Sequence, residues 1–132
     1  MIIDTSALLA IVMKEADAYR YVATMTGAER LRMSAVHWFE ATMAVDSRGD
    51  ETARALFDTT PSEIGFELIP FTEAPARPAR EAWRRFGWTS RHPAKLNFGD
   101  CMAYGVARAE HEPLLFKGND FPQTDIEPAL KP

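Results

Sequence analysis

With 132 residues, 46% of them hydrophobic and 26% charged, the chain has the size and composition of one globular domain, 1–132, which excludes a disordered or fibrous protein. Its longest unbroken apolar run, Ala7 to Met13, is seven residues, against the ~20 that cross a bilayer, and no Lys or Arg precedes it as in a secretory signal. The net charge of −4 excludes a uniformly basic surface and the single cysteine, Cys101, excludes an internal disulfide, so a soluble cytoplasmic protein with no membrane partner is expected.

In chain order, Met1 to Ile3 is a short apolar strand that runs into Asp4-Thr5-Ser6, after which Ala7 to Met13 predicts a helix capped by Thr5 or Ser6. A helix over 15–26 leads to a strand at Leu31 to Ser34, followed by helices over 35–48 and 50–59 and a strand at Phe66 to Pro70. Pro75 and Pro78 come next. Because proline fits only the first turn of a helix, the regular part is expected to begin near Ala76, run to 86 and stop at Gly87. Trp88 to Asn97 reads as a loop that delivers the chain into a helix over 99–111 and a last strand at Leu114 to Phe116, while Glu127 to Pro132, with two prolines, is expected to be only partly ordered. Strands alternating with helices predict an α/β fold whose parallel sheet is covered on both faces.

The chemistry lies in where carboxylates sit. Asp4 ends an apolar strand, Glu40 is embedded in His37-Trp38-Phe39-Glu40-Ala41-Thr42-Met43, and Asp100 opens an apolar helix. A carboxylate near a core loses hydration worth several kcal/mol and needs a cation, a metal or hydrogen-bond donors, yet few Lys or Arg lie beside any of the three in sequence. Open parallel sheets bind ligands outside the carboxyl ends of their strands, where Asp4 lies and where Asp120, after the last strand, is expected. Each acid taken singly also reads as a cap or an exposed residue; Asp100 alone fits a helix N-terminus. Together they form a hard-oxygen site for Mg²⁺ or Mn²⁺, ions suited to hydrolysing a phosphodiester.

Four segments, Ile2-Ile3-Asp4-Thr5-Ser6-Ala7, Ser34-Ala35 with Glu40-Ala41, Leu96-Asn97-Phe98-Gly99-Asp100-Cys101 and Leu115-Phe116-Lys117-Gly118-Asn119-Asp120-Phe121, resemble in order the motifs of VapC-type toxin ribonucleases of the PIN-domain family. The resemblance covers essentially the whole chain. It implies a three-layer α/β/α sandwich with a parallel sheet of about five strands, a homodimer, a cognate VapB-like antitoxin, and Mg²⁺-dependent RNA cleavage, with Mn²⁺ as a substitute, leaving 3′-hydroxyl and 5′-phosphate ends. By the same resemblance Asp4, Glu40 and Asp100 match the family's acidic triad, Asp120 a fourth acid, and Ser6 and Asn119 accessory polar positions. Pro75, Pro78 and the Trp88-Thr89-Ser90 insertion before Arg91-His92-Pro93 depart from the pattern without touching the acids.

Between Arg77 and Lys95 the chain carries six basic residues against Glu81, a local charge of six minus one, or +5. Arg91 and Lys95, in the loop that feeds Asp100, are candidate RNA contacts, and Trp83, Phe86 and Trp88 are either core aromatics or stacking surfaces. His92, in the same loop, is a weaker candidate for RNA contact; His37 and His111 lack metal-ligand spacing and receive no role, Asp125 reads as a turn acid, and Cys101 reads as a buried thiol. Two other readings stay open: a nuclease-inactive RNA- or antitoxin-binding module, and a phosphatase or receiver-like protein with Asp4 as phosphoryl acceptor.

Overall fold

Ile2 and Ile3 are adjacent in the chain yet belong to different cores, and that separation sets the architecture. In the computed structural model, which describes residues 1–131, they form strand β1, Ile2–Ile3. Successive side chains of a strand point to opposite faces. Ile3 packs with Met33 and Leu115 against one set of helices, and Ile2 packs with Ile69 and Leu114 against another. Both faces of the sheet are therefore buried, as a parallel sheet requires.

The other strands are β2, Arg32–Ser34, β3, Glu67–Ile69, and β4, Leu114–Leu115, in spatial order β3-β2-β1-β4 with every pairing parallel. Helices α1 (Thr5–Val12), α2 (Ala18–Thr26), α3 (Ala35–Ser47) and α4 (Glu51–Thr60) cover the Ile3 face through Leu8, Met25, Val45 and Phe57. Helices α5 (Glu73–Phe86) and α6 (Phe98–Glu110) cover the Ile2 face through Ala82, Phe86, Tyr104 and Val106. This is the expected three-layer α/β/α sandwich. The strand order reverses between β1 and β4, so the segments leaving those two strands, headed by Asp4 and by Phe116, flank the crevice where ligands of such sheets bind.

Four expectations are corrected. The sheet has four strands among the described residues where about five were expected; a single parallel bridge, Leu114 to Pro128, takes the place beside β4. Leu114 N–H donates to the Glu127 carbonyl and Ala129 N–H to the Leu114 carbonyl, and the pairing goes no further among the described residues. The same contacts hold residues 127–129 in place, where partial order was expected; Pro132 lies outside the described residues. Helix α1 begins at Thr5 with Asp4 as its cap, so neither Thr5 nor Ser6 caps it.

Helix α5 begins at Glu73, with Pro78 inside it. Only the Ala74 carbonyl loses its helical donor, and Ala74 is exposed to water. What holds this turn is its crossing with α6: a Cβ on Gly105 would lie 2.3 Å from the Pro75 carbonyl oxygen and 2.8 Å from the Ala79 Cβ, so glycine lets the helices touch. Packing overrides local propensity there.

Candidate active site

Asp4 stands between β1 and α1. Its N–H donates to the Leu115 carbonyl of β4 at 2.9 Å, fixing it at the switch point, and its Oδ2 accepts from the Ser6 N–H at 2.9 Å and from the Ser6 hydroxyl. Ser6 Oγ in turn accepts from the Lys117 N–H at 2.9 Å. One hydroxyl thus ties the Asp4 carboxylate to the chain leaving β4. Lys117 turns its ammonium away, onto Glu15 and, at 2.7 Å, Asp17, and these two carboxylates raise its pKa.

Glu40 reaches the same edge from α3. Its Oε2 accepts from Thr5 Oγ1 at 2.7 Å, with the His37 carbonyl 3.1 Å from the same hydroxyl. His37, one turn earlier on α3 and fully buried, donates from Nε2 to the Gly99 carbonyl at 3.0 Å and so pins α3 to the first turn of α6. Gly99 has a steric reason to be glycine. A Cβ there would sit 2.9 Å from Glu40 Oε1 and 3.4 Å from Oε2.

Asp100 belongs to a capping box, in which its N–H donates to Asn97 Oδ1 at 2.9 Å and its Oδ2 accepts from the Asn97 N–H at 2.8 Å. Burial pushes its carboxyl up, the Asn97 N–H opposes the shift, and the charges of Asp4, Asp120 and Glu40 add to it, bringing the pKa to about 6. Four of the expected acids therefore act on one another. The three innermost share a pattern: one oxygen of each is held by a hydroxyl or N–H, while Asp4 Oδ1, Glu40 Oε1 and Asp100 Oδ1 accept no hydrogen bond among the described residues.

Asp120 is exposed at the rim, ahead of a short turn, and Asn119 beside it makes a hydrogen bond among the described residues only through its backbone carbonyl. Arg91 and Lys95 are exposed, both with left-handed backbone, and form no ion pair among the described residues. Asp125 lies apart from the acids, bound to Arg85, Arg108 and the Tyr104 hydroxyl. His92 is structural: Nδ1 accepts the Ala94 N–H at 3.2 Å and the ring meets Phe86 edge-on at 5.0 Å. Cys101 is buried, and burial pushes its thiol up to about 11.

Sequence reasoning missed Thr5, His37 and Gly99. The available signal was spacing: His37 lies three residues before Glu40 on one helix face, and Gly99 directly precedes Asp100.

No group of three His, Cys, Asp or Glu side chains among the described residues is already arranged to enclose a metal ion. The donor chemistry nevertheless fits one, because the uncommitted oxygens are all carboxylate, no Lys or Arg among the described residues pairs with Asp4, Glu40 or Asp100, and Mg²⁺ keeps several waters that bridge open spacing.

The PIN domain family profile matches residues 1–127. The chain belongs to the PIN-domain family. It is of the VapC type: it is 44% identical to Ribonuclease VapC28 of Mycobacterium tuberculosis over 130 residues, covering 98% of each chain. It is also 44% identical to Ribonuclease VapC36 of the same organism over 128 residues, or 96% of this chain and 91% of that one. Among solved structures, Mycobacterium tuberculosis VapC20, described as a sarcin-ricin loop cleaving toxin, superposes with a TM-score of 0.70 over 95% of each chain at 18% identity, which shows a shared fold. In this PIN domain no helix of the described residues is long and apolar enough to cross a membrane.

Proposed function

We propose that this PIN domain is a single-domain, metal-dependent endoribonuclease, the toxin of a type II toxin-antitoxin pair. The observation that carries the reading is the set of three carboxylates, brought from three elements to the switch point without a counter-cation, each steadied through one oxygen and open at the other. The relatives' designation as VapC ribonucleases supports RNA as substrate.

In this reading Asp4, Glu40 and Asp100 hold Mg²⁺ or Mn²⁺, with Asp120 as a fourth acid at the rim. Bound there, the ion supplies charge stabilisation on the phosphodiester and activation of water for in-line displacement. The protein's own part is orientation. Ser6 fixes Asp4, Thr5 fixes Glu40, the Asn97 N–H fixes Asp100, and the His37 to Gly99 bond keeps α3 and α6 in register. Arg91 and Lys95 contact the RNA backbone. A VapB-like antitoxin and a second copy of the chain are its protein partners, in the cytoplasm.

Purified protein incubated with total RNA, with and without Mg²⁺ or Mn²⁺, is expected to give discrete cuts, mapped by sequencing new 5′ ends, that need both the metal and Asp4. Asp4→Asn should lower cleavage at least about 100-fold while the protein still folds. Undiminished cutting by that variant, freed of host nucleases, overturns the assignment.

A further inference from the structure

Beside the acids, on the α5–α6 face, lies a groove of about 550 Å³ that the acid chemistry does not use. Phe71, Trp83, Trp88 and Phe98 are its aromatic lining, and Arg80 and Met102 line it as well. Trp88 and Phe98 are 64% and 76% exposed, a costly way to display large apolar rings unless something covers them. The display is built. Trp83 meets Trp88 edge-on, with ring centroids 5.8 Å apart, and a Cβ on Gly87 would come within 2.7 Å of the Trp83 ring, so glycine lets the turn carrying Trp88 close over it.

Charge identifies the occupant. Of the six basic residues between Arg77 and Lys95, Arg77 is paired with Glu73, and Arg85 with Glu81 and Asp125. Arg80, Arg84, Arg91 and Lys95 have no acidic partner among the described residues, and Arg80 and Arg84 share one helix face at i, i+4. Aromatic faces rimmed by unpaired cations suit a single-stranded nucleic acid, whose bases stack while its phosphates meet the cations. A second copy docked about a twofold axis would bring the same arginines towards each other and be opposed by their repulsion. Phe98 also adjoins Gly99, against which Glu40 lies, and is two residues from Asp100, so a base held there sits next to the acids.

We propose that the Trp83, Trp88 and Phe98 groove is a base-stacking subsite that receives an unpaired nucleobase of the RNA next to the cleaved bond, with Arg80 on a flanking phosphate. It rests on the reading of the protein as a ribonuclease, and it assigns Trp88 and Phe98 a part in choosing where the RNA is cut.

The test measures binding of fluorescein-labelled, short single-stranded RNA of random sequence to the metal-free protein in EDTA, by anisotropy. Trp88→Ala and Phe98→Ala should each weaken binding about 10-fold. Trp88→Phe should restore it, and Arg80→Gln should reduce the salt dependence of log K by about 1. With Mg²⁺ and total RNA, the alanine variants should show a raised KM and relaxed base preference beside the cut. Circular dichroism melting checks that these exposed positions leave folding unchanged. Alanine variants that bind like the wild type, while the wild type still cuts RNA, overturn the subsite and leave the nuclease reading standing. Variants that turn a sedimenting dimer into a monomer at unchanged RNA affinity assign the groove to a second copy and likewise overturn it. A wild type that neither binds nor cuts RNA removes the nuclease reading and the subsite with it.

Discussion

The two edges of the same sheet treat carboxylates in opposite ways. At the edge where the strands begin, Arg32 is clasped by Glu110 and Glu112, and Glu112 also holds the N-terminal ammonium. Burial pushes the Glu112 carboxyl up, but the ammonium and Arg32 outweigh it and hold it below the usual range. At the edge where the strands end, Asp100 has no cation beside it among the described residues: burial, opposed by the Asn97 N–H and reinforced by the charges of Asp4, Asp120 and Glu40, raises its pKa to about 6. Both edges bury charge; one supplies the counter-charge from within the chain, and the other, on the function proposed above, takes it from a bound metal ion. The first edge holds its charges in ion pairs, and the second keeps Asp100 where its charge is disfavoured.

Breaking the first edge should produce the largest stability change. Arg32→Ala strands Glu110 and Glu112 and is expected to lower unfolding free energy by about 3–5 kcal/mol in denaturant titrations, with cleavage per folded molecule unchanged. At the second edge the effects reverse. Thr5→Val removes the hydroxyl that steadies Glu40 and should cut RNA cleavage roughly 10–100-fold with little change in the melt. Gly99→Ala should also reduce cleavage, by displacing Glu40, while stabilising α6 by about 0.5–1 kcal/mol, because alanine is the better helix former.

The comparison is sharpest in pH. Asp100 has a higher pKa folded than unfolded, so the folded state binds the extra proton, and the metal-free protein loses stability from this group as pH rises from about 4 to about 6. Asp100→Asn should therefore raise stability at neutral pH by about 1 kcal/mol, solvent screening at this partly exposed carboxyl reducing the effect, and should flatten that slope in thermal melts. Glu112, with its lowered pKa, works the other way: its contribution is present at neutral pH and is lost as pH falls through the acid range.

Asp4, Glu40 and Asp100 stood out in the sequence because each interrupts an apolar element, a local contradiction that one chain displays on its own. The alternation of strands and helices was equally local, and it led to the right layers. What stayed hidden depends on contacts between distant segments. Thr5 meets Glu40 across 35 positions, and His37 meets Gly99 across 62. Pro78 misled for the same reason, since the rule against proline in a helix is local while Gly105, which lets α5 pack so tightly at that turn, lies on another helix. The missing fifth strand was hidden in the same way: Glu127 and Ala129 each make one ladder bond to Leu114, and the pairing goes no further among the described residues.

The clasp of Lys117 by Glu15 and Asp17 has a consequence for the acids as well as for the loop it anchors. A lysine whose own amide touches Ser6, three residues ahead of Asp120, is a tethered cation at high local concentration beside a cluster of negative charge. Left loose, it would compete for those carboxylates with any ion arriving from solution. On the proposed function, two acids spent on holding the ammonium elsewhere keep the protein from acting as its own inhibitor.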